Sequence, residues 1–488
     1  LDRPFPSYDL FLIVIGPVIL GLLWLLLKKT RWGTLIRAAT QDREMVAALG
    51  VNQAILFTSV FTIGAMLAGL GGALQLPRES ANLDLDIHTI GSAFVVVVVG
   101  GMGSIPGAFI AALIISEVKA ICVWIGLVNI FGVEVSFSKL TLVVDFLVMA
   151  IVLVIRPWGL LGRPQISKPH SSELETSFRI PNQPLKIVGT LFILLLIGLP
   201  YFASESPYTI VLVIDLLIAT IFSVSLHFIM GPGGMHSFGH AAYFGLGAYI
   251  AALLVRYLGI SMELVLILAP LLTGIAALIF GWFSVRLSGV YLAMLTLAFA
   301  QIAWAVIFQW DSLTGGSNGL TGVWPSQLFK DKIAYFYLTL ALVTFVILAI
   351  WRILFSSFGF ALRAGRDSDM RAEAIGIDVK KIQLIAFIIA GICAGLGCVL
   401  FAFSKGSISP EVIHIGRSID GLVMVLLGGI NALTGPIVGA VTFTWLHDVI
   451  ARSTDYWRAA LGLIILFLVL LFPHGISGSL STFFNRFK

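Results

Sequence analysis

Few side chains in this sequence stand where they could do chemistry, and most of those lie inside apolar stretches. Asp215 sits within VLVIDLLIATIFSVSLHF, and His227 follows twelve residues later. His236 and His240 come next, beside Ser237, in the glycine-rich run Gly231–Tyr249. An ionisable group in an apolar span is costly, so it faces a bundle interior or a wet cavity, where it pairs, relays a proton or lines a path. In a helix, His236 and His240 would share one face. A metal pair of that spacing needs further ligands, which the sequence does not offer, so no metal is expected. Two readings stay open for the run: close helix packing through small residues, or lining of a pathway. No Ser/His/Asp set and no paired carboxylates stand out in an accessible loop, so neither a catalytic site nor a cofactor is expected. The phosphate-cradling pattern GxxxxGK[ST] is missing as well, which excludes that mode of ATP binding. Cys122, Cys393 and Cys398 lie in apolar segments without CxxC spacing and read as small packing residues.

The surrounding chain sets the medium for these groups. Its 488 residues are 59% hydrophobic and only 11% charged, with a mean hydropathy of +1.03. Soluble domains carry about a quarter charged residues, so this is an integral membrane protein. Its apolar runs of about 18–22 residues suit helices, whereas barrel strands would be about 10 residues of alternating polarity. The net charge of +5 reads as basic residues in cytoplasmic loops. No nucleic-acid motif accompanies it, and no nucleic-acid partner is expected.

Two stretches are copies of one another. Trp32–Leu74 aligns without a gap to Phe358–Leu400, sharing Gly33/Gly359, Arg37/Arg363, Ala48/Ala374, Gly50/Gly376 and the Ala-Gly-Leu-Gly runs at 68–71 and 394–397. Two further blocks recur in the same order. Ile90–Ile115 is interrupted at Gly100, Gly101 and Pro106, as Leu422–Val441 is at Gly428, Gly429 and Pro436. RPWGLLG (Arg156–Gly162) is matched by FPHGISG (Phe472–Gly478). Three blocks in one order mean a tandem duplication of a membrane unit. We divide the chain into a first unit at 1–162, a polar linker at 163–186 and a second unit at 187–488. The first unit has far fewer residues ahead of its Arg-bearing segment, so it is expected to be N-terminally shortened, as in a fragment.

Charge sets the topology. Leu10–Leu27 is followed by Lys28, Lys29, Arg31, Arg37 and Arg43, which places residues 28–50 in the cytoplasm. Thr40 or Asp42 can cap a short helix there, and Gly50 can close it. Ala54–Leu76 crosses outward, the interrupted pair follows, and Leu140–Ile155 completes the unit. In the second unit, spans are expected near 187–203, 209–230, 237–256, 263–284, 288–309, 334–355, 381–403 and 456–472, with the interrupted pair within 418–450. That makes an all-α, polytopic fold of about fifteen membrane segments, with the linker and both termini of the second unit inside. Gln309–Lys332 and Ser404–Arg417 become outer loops, and Asp145 and Asp448 are placed near helix ends.

This ordered set resembles the two permease subunits of bacterial high-affinity branched-chain amino acid ABC importers, fused in one chain. RAATQDREMVAALGV, VVVGGMGSIPGA and RPWGLLG are similar to the C-terminal part of one permease. GPGGMHSFGHAAYFGLGAY, SLTGGSNGL and RAGRDSDMRAEAIGID are similar to the other. The resemblance implies a multi-pass permease of the bacterial inner membrane, served by two cytoplasmic ABC ATPase subunits and a periplasmic solute-binding protein. It implies alternating access and no enzymatic activity of its own. The segments at 34–50 and 360–376 could be solvated loops, but their recurrence favours ATPase-coupling helices carrying Arg37, Ala48, Gly50, Arg363, Arg366, Ala374 and Gly376. Pathway residues are then Gly100, Gly101, Asp215, His227, His236, Ser237, His240, Gly428 and Gly429, with His227 standing where the family usually has asparagine. Thr314, Gly315, Gly316, Ser317 and Asn318 form either a turn-rich outer loop or a gate that docks the binding protein. Import of urea or short amides by the same architecture is the near alternative. An ion-coupled secondary transporter using Asp215 is the alternative of a different class.

Overall fold

Backbone N–H and C=O groups have no water to bond in a bilayer, so apolar runs of this length close their hydrogen bonds within helices. The computed structural model describes residues 6–82, 85–130, 133–162, 183–202 and 207–479. Among them, 11 helices are long and apolar enough to cross a membrane, and shorter apolar helices run over Thr89–Gly100 and Gly189–Phe202. The linker lies almost wholly outside the described residues. The chain packs as two compact units, Leu1–Val118 with Trp158–Pro164, and Lys119–Pro157 with Gln165–Lys488. These packing units are not coextensive with the sequence repeats.

The first packing unit opens with α1 (Ser7–Lys29), whose apolar surface is nowhere buried in the chain and suits lipid. Two short helices follow, α2 (Arg31–Gln41) and α3 (Arg43–Ala48), before α4 (Gln53–Gln75). Thr30 caps α2 by accepting from the Gly33 N–H, Asp42 caps α3 from the Met45 N–H, and Asn52 caps α4 from the Ile55 N–H. Each cap satisfies a donor that a helix start leaves free. Then come α5 (Leu85–Gly100) and α6 (Ile105–Ile125), the expected interrupted pair.

In the second packing unit, a hairpin of β1 (Leu127–Ile130) and β2 (Val133–Ser136) leads to α7 (Phe137–Ile155). Then follow α8 (Gln183–Phe202), α9 (Pro207–Met230), α10 (His240–Leu258), α11 (Met262–Ser284) and α12 (Gly289–Gln309). The single turn α13 (Asp311–Thr314) and β3 (Leu320–Thr321) precede α14 (Lys332–Leu354). After α15 (Ser357–Asp367) and α16 (Asp369–Ala374) comes α17 (Val379–Lys405), then β4 (Ser407–Ile408), α18 (Ile415–Gly428), α19 (Gly435–Ser453) and α20 (Trp457–Leu471). Fully buried Phe222, Tyr243, Phe244, Tyr249, Phe336, Phe387 and Phe403 mark the core around α9, α10, α14 and α17. Small residues bring the helices close: a side chain at Gly247 would strike the Gly395 backbone, and one at Gly391 would strike Ala277.

Two expectations are corrected here. Asp145 is in the middle of α7, not near its end; it is buried and pairs with Lys119 at 2.8 Å. The span expected from residue 237 begins only at His240, because Pro232, Gly233 and Gly234 carry the chain through a non-helical connection. His236 and His240 therefore do not share a helix face.

Candidate functional site

The Arg-bearing segments fold alike. In the second copy, α15 and α16 are separated by Ser368, which caps α16 by accepting from the Arg371 N–H, as Asp42 does for α3. Asp378 caps α17 from the Lys381 N–H, as Asn52 caps α4. Gly50 and Gly376 take φ of +83° and +89°, the left-handed turn that lets each short helix end and a span begin. Arg37 donates through Nη1 to the Leu27 carbonyl at 2.7 Å, and Arg363 through Nη2 to the Leu354 carbonyl at 3.1 Å. Both guanidinium groups thus close the C-terminal carbonyls of the preceding span instead of pointing outward. Burial and the neighbouring Arg366 lower Arg363 from the ordinary arginine value, with Asp367 opposing. Each segment presents a small or apolar tip, Ala48, Leu49 and Gly50 in one and Ala374, Ile375 and Gly376 in the other, beside exposed charges, Arg43 and Glu44 in the first and Arg371 and Glu373 in the second.

The interrupted helices are locked in a shared way. Gly101 and Gly429 have φ of +97° and +109°. A side chain at Gly101 would collide with the backbone of Trp158 and Gly162, and one at Gly429 with the His474 carbonyl. The recurring RPWGLLG and FPHGISG blocks are therefore the pieces that seat against each break. In the first unit their bonds are explicit: Leu160 N–H donates to the Val99 carbonyl at 2.8 Å and Leu161 N–H to the Gly100 carbonyl at 3.1 Å. The carbonyls freed by the break are thereby satisfied within protein. Gly100 and Gly428 lie against the start of the following helix, where a side chain would strike the backbone at Gly107–Ala108 or at Gly435.

Around the second break the polar groups connect. His227, buried near the end of α9, bonds through Nε2 to the Ile430 carbonyl in the break at 2.7 Å. One turn on, the Gly231 carbonyl accepts from Arg366 Nη1 at 3.1 Å. A continuous chain of contacts thus runs from α15 to the break between α18 and α19. His240 is fully buried, with Nε2 2.8 Å from Ser225 Oγ and its ring against Phe222 and Tyr243. Ser237 is buried in the connection, whereas His236 is exposed. The free amides of that connection find hydroxyls: Phe238 N–H donates to Thr296 Oγ1 and Ala241 N–H to Ser418 Oγ.

At the opposite end, Asp215 is paired with Lys405 at 2.8 Å. Thr314 is buried and donates to the Ile307 and Trp310 carbonyls. Gly315 and Gly316 turn the chain at φ of +75° and +54°, leaving Ser317 and Asn318 exposed. Just beyond, Leu320 and Thr321 pair with Ile408 and Ser407, which ties the loop after α13 to the turn after α17. Neither Lys405 nor the Ile430 carbonyl is among the sequence candidates. Lys405 carried a signal, being the cation at the end of an apolar span in the same repeat unit as Asp215.

A family model described as branched-chain amino acid transport system, permease component, matches residues 3–153 and 208–472. The chain belongs to that permease family. Its match in two separate regions accords with the tandem reading. Among its relatives, the high-affinity branched-chain amino acid transport system permease protein LivM of Escherichia coli (strain K12) is 26% identical over 389 residues, covering 71% of this chain and 90% of LivM. BraD of Pseudomonas aeruginosa, a permease protein of the same description, is 33% identical over 160 residues, covering 32% of this chain and 47% of BraD. LivH of Escherichia coli (strain K12) is 31% identical over 147 residues, covering 30% of this chain and 44% of LivH. No solved structure matches the chain. As a member of this family it is a multi-pass membrane permease, and the family's importers work with ATPases and binding proteins in general. Within that frame each copy offers an Arg-bearing pair of short helices and a locked helix break.

Proposed function

We propose that this chain is the translocating permease of an ATP-driven importer that carries branched-chain amino acids across the bacterial inner membrane by alternating access. The observation that carries the reading is the contact chain Arg366–Gly231–His227–Ile430, which ties one outward-presented segment to the break in the transport bundle. Two separate ATPase subunits seat on α2–α3 and α15–α16, where Ala48 and Ala374 let a cleft approach closely and Leu49 and Ile375 fill it. Their closure on ATP shifts α15, which draws on the α9–α10 connection, and His227 passes the shift to the residue-430 loop. The α18–α19 pair then tilts about Gly428 and Gly429, and the α5–α6 pair about Gly100 and Gly101, so that access alternates between faces. A periplasmic binding protein delivers substrate at the loop containing Thr314–Asn318. The repeat blocks and the polar linker support the division at 162 and 186, and the charge pattern supports a cytoplasmic linker and cytoplasmic termini for the second unit. Asp215 supports this class over an ion-coupled carrier, because Lys405 already compensates its charge.

The chain is reconstituted in vesicles with its ATPases and binding protein, and leucine uptake is followed. Uptake should need ATP, stop with vanadate and ignore a protonophore. The double variant Ala48→Trp, Ala374→Trp should insert in the membrane yet lose ATPase co-purification or uncouple hydrolysis from uptake. Uptake that ignores vanadate and collapses with the protonophore would sink the ATP-driven reading. Retention of both partners and coupling in the double variant would return these segments to ordinary loops.

A further inference from the structure

One cavity in the second packing unit has a lining unlike the apolar surface around it. It measures about 660 Å³ and is lined by Lys405, Glu411, Arg417 and Asp420, with Asn318 and Phe401 among its other walls. That volume is within the range of small-molecule sites, about 300–1,000 Å³. It opens where α17 ends and α18 begins, beside the paired strands Leu320–Thr321 and Ser407–Ile408. In the charge-derived topology this is the outer face.

The charges are arranged for a visitor. Arg417 and Asp420 are three residues apart on α18, which puts them on one side of that helix. Among the described residues, neither the Arg417 guanidinium, the Asp420 carboxylate nor the Glu411 carboxylate has a hydrogen-bond or ion-pair partner within 4.0 Å. Arg417 is instead held by aromatic faces, its Cζ lying 5.4 Å from the Phe244 ring centroid and 6.0 Å from those of Phe222 and Phe401. Such stacking fixes the fork while leaving its five N–H donors free. Arg417 and Asp420 are part-buried charges that attract one another without direct contact, each keeping hydrogen-bonding capacity for a partner from outside, while Lys405 and Glu411 are exposed.

The class of ligand follows. A simple anion would meet the carboxylates of Glu411 and Asp420, and a metal cation would meet Arg417 and Lys405. A neutral sugar would satisfy neither. A molecule bearing both charges a few ångströms apart satisfies all of them, and Phe401 offers an apolar wall to its remainder. We propose that this cavity is a reception site for a free zwitterionic α-amino acid on its way from the binding protein into the membrane. Arg417 holds the α-carboxylate, Asp420 and Glu411 hold the α-ammonium, and Lys405, anchored by Asp215, biases the mouth toward the carboxylate end. This rests on the amino-acid importer reading and adds where, and by which groups, the substrate is met.

The test uses the chain assembled with its ATPases in vesicles, outer face exposed, without binding protein. Asn318→Cys places a thiol on the cavity wall for an impermeant maleimide. Leucine should slow labelling several-fold, whereas leucinamide and 4-methylpentanoate, each lacking one charge, should not. Added to that variant, Arg417→Gln or Asp420→Asn should remove the protection, and either alone should lower leucine uptake at least tenfold. If Arg417→Gln does not insert, Asp420→Asn carries both readouts. Labelling indifferent to leucine while the complete transporter takes leucine up overturns this site and leaves the importer reading standing. A complete transporter that takes up no leucine overturns both.

Discussion

The two Arg-bearing segments are near-copies in backbone and differ in what holds them. Both have two short helices split by a capping residue, a left-handed glycine and an arginine returned to the preceding span. The difference is at one aligned position, where the first copy has Thr40 and the second has Arg366. Thr40 bonds only to the Arg37 carbonyl within its own helix. Arg366 reaches out of its segment to the Gly231 carbonyl, and its stem lies against Gly234, where a side chain would collide with it. Among the described residues, the first segment is thus held by its flanking spans, while the second is strutted to the connection between α9 and α10. Duplication preserved the shape of the protrusion and left its wiring free to diverge.

The largest effects should come where the copies agree. Gly101→Leu and Gly429→Leu each force a side chain into a positive φ and against a docked backbone. Strain and overpacking together cost on the order of 4 kcal/mol. Each variant should lose uptake and most of its folded yield, read by transport and by monodisperse protein recovered from membranes. Normal transport in Gly429→Leu would remove the break from the mechanism, and tolerance at only one site would end the equivalence of the two halves.

The intermediate effect should come where they differ. Arg366→Ala removes a charged hydrogen bond to a backbone carbonyl, worth about 2 kcal/mol, and should uncouple hydrolysis from uptake several-fold. Thr40→Ala should leave the ratio of solute moved to ATP consumed within about twofold, since it loses one local bond. Hydrogen exchange at residues 231–239 should quicken in Arg366→Ala. Equal uncoupling in both variants would mean that the strut transmits nothing.

How much of this could be read in the sequence depends on distance along the chain. The repeats, the interrupted helices and the Asp42 cap were legible, because glycines, caps and charge runs act within a few residues of themselves. The RPWGLLG and FPHGISG blocks were legible as repeats, but not as the wedges that lock each break. Gly159 and Gly475 meet partners tens of residues away, and composition says nothing of such a meeting. Asp215 drew notice as an unusual carboxylate, while Lys405 looked like an ordinary span-end cation. Asp145 is expected near a helix end, but it lies mid-helix in α7, where Lys119 pairs with its buried carboxylate. The His-x3-His spacing puts His236 and His240 on one face only if both lie within a helix. The backbone of Gly233 and Gly234 overruled that pattern.

The smallest effects should separate the copies by pH. Asp42→Ala and Ser368→Ala each remove a cap and should cost about 1 kcal/mol locally, or about fivefold faster amide exchange over residues 45–48 and 371–374. Beside these caps the copies differ again, with Arg43 aligned to Asp369. Burial, and then Glu373 one turn on, push the Asp369 carboxyl above its ordinary value of 3.8, with Lys380 opposing. A carboxyl raised on folding binds its proton more tightly in the ordered segment than in the unravelled one. Its contribution is therefore full below the ordinary carboxylate value and is lost as pH rises through the raised one. As pH falls from neutral through the raised value, protection at 371–374, corrected for intrinsic exchange, should rise relative to 45–48. Asp369→Asn should flatten that difference and match the low-pH protection at neutral pH. Parallel behaviour of the two segments across that range would mean that Asp369 has no part in ordering α16.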